Sequence, residues 1–279
     1  MFRTKLMNTK DFAFAIRLTN QMNWNLTKED FQFMTKLEPQ GCFTLYEKNE
    51  KIGIATTITY NHTAWFGNLI IKPNHRKKGA GSHLVKHALT YLKNKKVETT
   101  GLYAYTEKIP FYQRLGFKPH IKFTVMKGKS FPSPPHPNTQ QTKKQQLKTI
   151  IRLDQTCFGA PRRKLLEPII LDSDNLCLSY IENNKIKAFA LAKIYRGKAE
   201  LGPLICPEGR SGIAVKLIKA TLNKLDNAEV TMFIPEEQHA IQKTLKQSGF
   251  QETFQVVTMF HGSPTFKPCI YMPESLERG

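Results

Sequence analysis

The stretch that decides the fold is Gly67-Asn-Leu-Ile-Ile-Lys-Pro-Asn-His-Arg-Lys-Lys-Gly-Ala-Gly-Ser82. Its apolar first part predicts a strand, and its middle predicts a basic glycine-rich loop. The residues after the loop predict an amphipathic helix. The first N–H groups of a helix lack partners within the helix and its dipole is positive there, so an anion fits at that point. Two glycines let the backbone approach such an anion closely. The residues expected to cradle a pyrophosphate are Arg76, Lys77, Lys78, Gly79, Ala80, Gly81 and Ser82.

Two common phosphate-binding motifs are excluded. The chain has no G-x-x-x-x-G-K-[S/T], and a dinucleotide fingerprint would need a third glycine where Leu84 stands. The remaining R-x-x-G-x-G pattern, placed between a strand and a helix, resembles the acetyl-CoA loop of the GNAT N-acetyltransferase superfamily. The later segment Ile109-Pro-Phe-Tyr-Gln-Arg-Leu-Gly-Phe117 resembles the P-x-Y-x-x-x-G-F segment of that superfamily and is especially similar to arylalkylamine N-acetyltransferases. The resemblance covers residues 1–128.

The resemblance implies an enzyme that transfers an acyl group directly from acetyl-CoA to an amine of a small molecule or a protein, without a metal. In the family, the strand matching Leu69, Ile70 and Ile71 separates from its neighbour and pairs with the pantetheine amides of the cofactor. A backbone N–H near Ile71 would then stabilise the oxyanion. The tyrosine matching Tyr112 is the family's usual general acid, which protonates the departing thiolate. The alternative for Tyr112 is an aromatic side chain that packs a short helix onto the sheet.

The general base is not identified by any motif. Two polar side chains on or beside the central strand and two carboxylates on the second predicted helix are candidates, although each also has an interpretation as a cap or a solvated side chain. Two tryptophans are candidates for the wall of the acceptor pocket or for the core. Two histidines four residues apart lie on the polar side of a predicted helix, so we expect surface residues there and no metal site. The candidate bases are Asn68, His62, Glu29 and Asp30. The two tryptophans are Trp24 and Trp65, and the two histidines are His83 and His87.

The chain is an internal duplication. A proline-rich and polar stretch, residues 129–147, predicts a linker between modules at 1–128 and 148–279. At an offset of 133 the two modules match at several distant positions. In the second module, however, glycine, alanine and leucine stand where Arg76, Gly81 and Tyr112 stand in the first. We therefore expect a divergent second module that shares the sheet, covers the acceptor pocket or binds a partner. The matched glycines and apolar residues include Gly79 with Gly212, Leu84 with Leu217 and Gly116 with Gly249.

The pattern of elements predicts an α+β fold. Within the first module it indicates two helices, 8–22 and 27–37, and then three strands, 42–47, 51–60 and 63–72, joined by tight turns into an antiparallel meander. A helix, a strand, a short helix and a last strand follow, and the second module repeats the order. We expect two tandem GNAT-type domains, each a mixed, mostly antiparallel twisted sheet flanked by helices.

The chain is strongly basic, with 42 Lys and Arg against 22 Asp and Glu and a net charge of +20. Most of the excess lies in residues 1–128, which indicates either an acidic partner or a lysine-rich composition. A basic module that binds RNA, the ribosome or a protein through a degenerate acetyltransferase fold is therefore the alternative function. The five separated cysteines predict reduced thiols in the cytoplasm. Apolar runs are too short for a membrane span, and we expect no membrane partner.

Overall fold

The first module has the predicted order of elements. A computed structural model describes all 279 residues and confirms the α+β class. Helix α2 begins where the sequence predicts, because Thr27 and Asp30 form a capping box in which each side chain accepts the backbone N–H of the other. A first strand was missed by the sequence analysis. The elements are β1 (Phe2–Leu6), α1 (Phe12–Gln21), α2 (Lys28–Leu37), β2 (Cys42–Glu47), β3 (Glu50–Tyr60), β4 (Thr63–Ile71), α3 (Ala80–Asn94), β5 (Thr99–Tyr105), α4 (Ile109–Gln113) and β6 (Lys118–Lys129).

The second module repeats this order and adds one strand. Its first strand falls within the stretch that the sequence analysis assigned to a linker, so residues 129–147 are not all linker. The strand takes the place that β1 has in the first module, since each is the edge strand of its half of the sheet. The elements are β7 (Thr139–Gln141), α5 (Leu147–Phe158), α6 (Arg163–Leu171), β8 (Leu176–Glu182), β9 (Lys185–Tyr195), β10 (Lys198–Pro207), α7 (Ser211–Lys224), β11 (Glu229–Pro235), α8 (His239–Gln247), β12 (Gln251–His261) and β13 (Cys269–Met272).

All thirteen strands belong to one twisted sheet. Its order is β1-β2-β3-β4-β5-β12-β6-β11-β10-β9-β8-β7, with β13 paired to β10. The buried clusters show that α3, α4, α7 and α8 cover one face, and α1, α2, α5 and α6 cover the other. We call these the α3 face and the α2 face. No helix is long and apolar enough to cross a membrane.

The two modules exchange one strand each, β6 and β12. Strand β12 of the second module lies between β5 and β6 of the first, while β6 pairs on its other side with β11 of the second module. Both exchanged strands pair antiparallel with each neighbour, and Phe123 lies opposite Val256 where they meet. Because β5 and β11 both depend on a strand from the other module, the two halves form one cooperative sheet.

The segment that follows β13, residues 273–279, joins the modules on the α2 face. Arg162 is fully buried; its guanidinium donates to the Asp154 carboxylate, with a distance of 3.0 Å from Nε to Oδ2, and to the carbonyl of Gly279. Lys164 donates to the buried Glu38 of the first module, 3.0 Å from its Oε2. Buried charges are stabilised only when paired in this way, so these contacts fix how the modules meet.

The prediction of reduced thiols is wrong for one pair. Cys157, near the end of α5, and Cys269, the first residue of β13, form a disulfide across 112 residues of sequence. Their separation concealed the pairing, because only the fold brings α5 and β13 together. Cys42, Cys177 and Cys206 are free and buried.

Candidate functional site

Strands β4 and β5 separate to form a cleft. They pair in parallel only from Thr63 to Trp65, whereas β4 continues to Ile71. The stretch 67–71 therefore has no strand partner on its β5 side. A bulge within this stretch shifts the register between β3 and β4, and Asn68 in the bulge has a left-handed backbone with φ of 52°. Bulges of this kind redirect a strand and are frequent beside active sites.

Asn68 supports the bulge. Its side chain is buried, and its amide donates to the Thr56 hydroxyl at 3.1 Å and contacts the Met34 sulfur at 3.2 Å. An amide has no appreciable basicity, and these contacts hold it in place. The candidate base Asn68 thus has a structural position on the α2 face.

The N-terminus of α3 is open at the mouth of the cleft. The loop 72–79 ends at Gly79, whose φ of +86° favours glycine, and no side chain caps the helix. The N–H groups of Ala80, Gly81 and Ser82 consequently lack acceptors within the helix. Lys77 and Lys78 are exposed beside them. This geometry suits a diphosphate, because several N–H groups and the positive end of the helix dipole converge.

Arg76 connects the loop to the end of β4. Its Nε donates to the carbonyl of Ile71 at 2.8 Å, while the residue as a whole is exposed. The role expected for Arg76, to add positive charge at the anion site, stays a prediction. Its contact also fixes the loop against the last residue of the unpaired stretch, so the anion site keeps a constant position relative to the cleft.

Tyr112 lies on the α3 face beside this N-terminus. A Cβ at Gly81 would lie 3.3 Å from Phe111 and 3.9 Å from Ile71, so α3, α4 and β4 meet there. Tyr112 packs edge-on against Phe111 and Phe117 and is only 9% exposed. Burial raises the pKa of its hydroxyl, which therefore keeps its proton at neutral pH. A protonated phenol in this position can act as an acid.

The two tryptophans have different surroundings. The indole N–H of Trp24, in the segment between α1 and α2, donates to the Tyr105 hydroxyl at 2.9 Å and so reaches across to β5 on the α2 face. Trp65 is fully buried and donates to the carbonyl of Leu276. Trp24 is thus placed at the cleft, and Trp65 is a core residue.

The other candidate bases do not assemble with Tyr112. His62 occupies the turn before β4, at the opposite end of that strand from Ile71, and lies 3.5 Å from Glu98. Asp30 is engaged in the capping box, and Glu29 is exposed in the first turn of α2. The structure instead places residues 276–278 of the second module against β4, which no local signal in the sequence indicated.

The paired histidines have ordinary packing roles. His83 lies 3.2 Å from the Thr4 hydroxyl, and the ring edge of His87 meets Phe43 at a centroid distance of 4.9 Å. No group of three or more His, Cys, Asp or Glu side chains is arranged to hold a metal ion.

In the second module the corresponding cleft is filled. Strand β10 pairs with β11 from Lys198 to Leu201, and beyond that point β13 pairs with it from Leu204 to Pro207. The loop before α7 is also short, with three residues (208–210) where the first module has eight. At the position of Tyr112 stands Leu245, which is buried. This half of the sheet therefore has neither an open edge nor a long loop.

Comparison with known proteins places the chain in a family. A model of the acetyltransferase (GNAT) family matches residues 11–117, and a model of an acetyltransferase (GNAT) domain matches residues 150–269. The chain belongs to the GNAT family and contains two domains of this type. Both modules recognised in the sequence are thus matched, including the divergent one.

Two relatives and two solved structures match most of this chain and most of their own length. A holothin acyltransferase of Pseudoalteromonas sp. is 22% identical over 86% of this chain and 81% of its own, and the uncharacterized N-acetyltransferase YitH of Bacillus subtilis is 22% identical over 88% and 86%. A putative acetyltransferase from Pyrococcus horikoshii superposes with a TM-score of 0.82 at 21% identity, covering 100% of this chain and 96% of its own. A GCN5-related N-acetyltransferase from Sphaerobacter thermophilus gives 0.68 at 15% identity, with 96% of both chains covered.

Proposed function

We propose that this protein transfers an acetyl group from acetyl-CoA to the primary amine of a small molecule or a protein, and that the first module performs the reaction. The observation that carries the proposal is the open cleft: the unpaired stretch 67–71 of β4 ends at the uncapped N-terminus of α3. A cofactor with an amide-containing arm and a diphosphate matches both parts of this site. Acetyl-CoA has both, and its thioester supplies the activated acyl group.

The fit of the extended arm is supported by the second module. There β13 adds to the edge of β10 in the equivalent cleft and uses backbone hydrogen bonds to do so. A cleft of this shape therefore accepts an extended chain with amide groups. In the first module Leu69, Ile70 and Ile71 offer the same kind of edge without a strand in it.

The residues have distinct roles in this proposal. The N–H groups of residues 79–82 hold the diphosphate, and Lys77 and Lys78 add positive charge. A backbone N–H near Ile71 stabilises negative charge on the carbonyl oxygen. Tyr112 donates its proton to the leaving sulfur. Arg76 holds the loop to β4 through the Ile71 carbonyl.

The experiment is a transfer assay with acetyl-CoA and a panel of small amines, peptides and proteins, scored by thiol release and by mass of the product. Calorimetry measures acetyl-CoA binding in parallel. We expect binding, and turnover of at least one amine. Absence of both would contradict the proposal; binding of RNA with steep salt dependence would then favour the nucleic-acid alternative.

A further inference from the structure

The segment 273–279 of the second module lies directly on the cleft strand of the first. The hydroxyl of Tyr60 donates to the carbonyl of Arg278 at 2.8 Å, and the indole of Trp65 donates to that of Leu276 at 3.3 Å. A Cβ at Gly67 would lie 2.6 Å from the carbonyl oxygen of Glu277 and 2.8 Å from its Cα. Gly67 therefore provides the space in which Glu277 sits.

This contact occurs where the cleft opens. Gly67 is two residues beyond Trp65, the last residue of β4 that pairs with β5, and it precedes the bulge at Asn68. The segment approaches on the α2 face, opposite the face that carries Tyr112. A group held by Glu277 would therefore reach the cleft from the face opposite the proposed acid.

Glu277 is a partly exposed carboxylate of this region, whereas Glu274 is fully buried. The side chain of Glu277 is 18% exposed, and its Oε1 lies 2.9 Å from Nη1 of Arg278. Arg278 is itself bound in a bidentate pair to the fully buried Glu274. Arg278 thus positions the Glu277 carboxylate while its own charge is already matched by Glu274.

The neighbouring charged side chains also form ion pairs. Lys193 of β9 pairs with Glu274 at 2.6 Å and with Glu200 of β10 at 2.9 Å. Burial raises the pKa of the Tyr195 phenol to about 12; the charges of Glu200, Asp30 and Glu277 add to this rise and that of Lys193 opposes it. The charged side chains joined by ion pairs in this cluster are Arg278, Lys193, Glu200, Glu274 and Glu277, which are three carboxylates and two cations although the whole chain is strongly basic.

We propose that Glu277 is a catalytic residue that the second module contributes to the first: its carboxylate binds the ammonium group of a cationic acceptor amine and removes one proton. This inference rests on the proposed function. The freed lone pair forms the C–N bond to the acetyl carbon and gives a tetrahedral intermediate with negative charge on the former carbonyl oxygen. Its collapse breaks the C–S bond, and the sulfur takes its proton from Tyr112. The second proton lost by nitrogen restores Tyr112, and the proton on Glu277 passes to water.

The test uses the full chain with Glu277→Gln, which keeps the shape and removes the charge, and Glu98→Gln as the control, an exposed carboxylate at the far end of β4. For the best cationic amine of the panel, kcat/KM at pH 7 falls about 100-fold in Glu277→Gln, the lower end of the usual effect of a general base. Acetyl-CoA affinity stays within about twofold of the parent value, because Glu277 lies on the opposite face from the diphosphate site. Glu277→Asp recovers part of the activity.

The pH profile distinguishes catalysis from structural support. In Glu277→Gln, kcat/KM rises tenfold per pH unit up to the pKa of the amine, because only the free amine reacts. The difference from the parent enzyme therefore narrows as the pH rises. Equal kcat/KM in the parent and Glu277→Gln overturns the inference and leaves the proposed function standing. A lower unfolding midpoint with unchanged kcat/KM also overturns it, because Glu277 is then structural. A parent enzyme that binds acetyl-CoA and acetylates no amine overturns both proposals.

Discussion

Met259 of the second module lies opposite Leu102 of the first in the antiparallel ladder between β12 and β5. Both side chains are buried in the cluster that also contains the start of α3 and Tyr112. The core beneath the proposed active site of the first module is therefore built partly from β12 of the second.

The first prediction follows from this exchange. Residues 1–137 expressed alone lack β12, so β5 and β6 lose a common neighbour and expose two long edges. We expect this part to show no cooperative unfolding by circular dichroism and no dispersed amide spectrum. Co-expression with residues 138–279 should restore both. A monomeric 1–137 with a cooperative transition would contradict the interpretation that the halves form one folding unit.

The second prediction concerns the anion site. Gly79→Ala forces a side chain into the left-handed region, which costs roughly 1–2 kcal/mol and distorts the loop before α3. Acetyl-CoA affinity measured by calorimetry should fall about 5- to 30-fold. The control is Gly209→Ala, at a residue with φ of +73° in the corresponding loop of the second module. It should lower stability similarly while leaving acetyl-CoA binding unchanged; equal losses of binding would refute the placement of the site.

The third prediction concerns Tyr112. Tyr112→Phe removes the hydroxyl and keeps the packing, so kcat should fall about 100-fold with little change in acetyl-CoA affinity. Burial favours the neutral phenol and raises its pKa, so the acid should remain protonated beyond the point where a free tyrosine ionises. The rate should accordingly show no loss of activity from Tyr112 between pH 7 and about pH 9.5. Tyr46→Phe, on β2, serves as the control, and a Tyr112→Phe enzyme with the parent kcat would exclude the acid role.

The fourth prediction compares two adjacent arginines. Arg162→Met leaves the Asp154 carboxylate buried without its partner and should lower the free energy of unfolding by about 3–5 kcal/mol. Arg163→Met removes only an exposed pair with Glu167, so its urea midpoint should hardly change. Urea unfolding followed by fluorescence measures both. Similar midpoints for the two variants would show that the pair at Arg162 does not anchor the junction.

The fifth prediction counts thiols. Burial raises the pKa of Cys177 to about 11 and those of Cys42 and Cys206 to about 12, so the native protein should react very slowly with a thiol reagent at pH 8. Unfolded without reductant, it should show three thiols, because Cys157 and Cys269 are paired. After reduction it should show five. Five thiols without reductant would mean that the pair is reduced in solution.

Local signals in the sequence predicted much of the fold. The capping box at Thr27, the glycine-rich loop before α3 and the repeated order of elements all depend on residues close together in the chain, and the structure has them where expected. The exchange of β6 and β12 depends on pairings between residues more than 100 positions apart, which leave no local pattern. The same holds for the disulfide and for the position of Glu277 on Gly67, so the contact of the second module with β4 could not be inferred.

Strand exchange also bears on the history of the chain. When a gene is duplicated, a copy that has lost its chemistry is ordinarily free to disappear. Here the divergent copy keeps β12 inside the sheet of its sister, and its removal would unfold the copy that retains the open cleft. The second copy has a short loop, a leucine where the first has Tyr112, and a filled cleft, yet it cannot be deleted without opening the sheet. Interdependence of the two halves of the sheet is therefore sufficient to explain why the second copy persists.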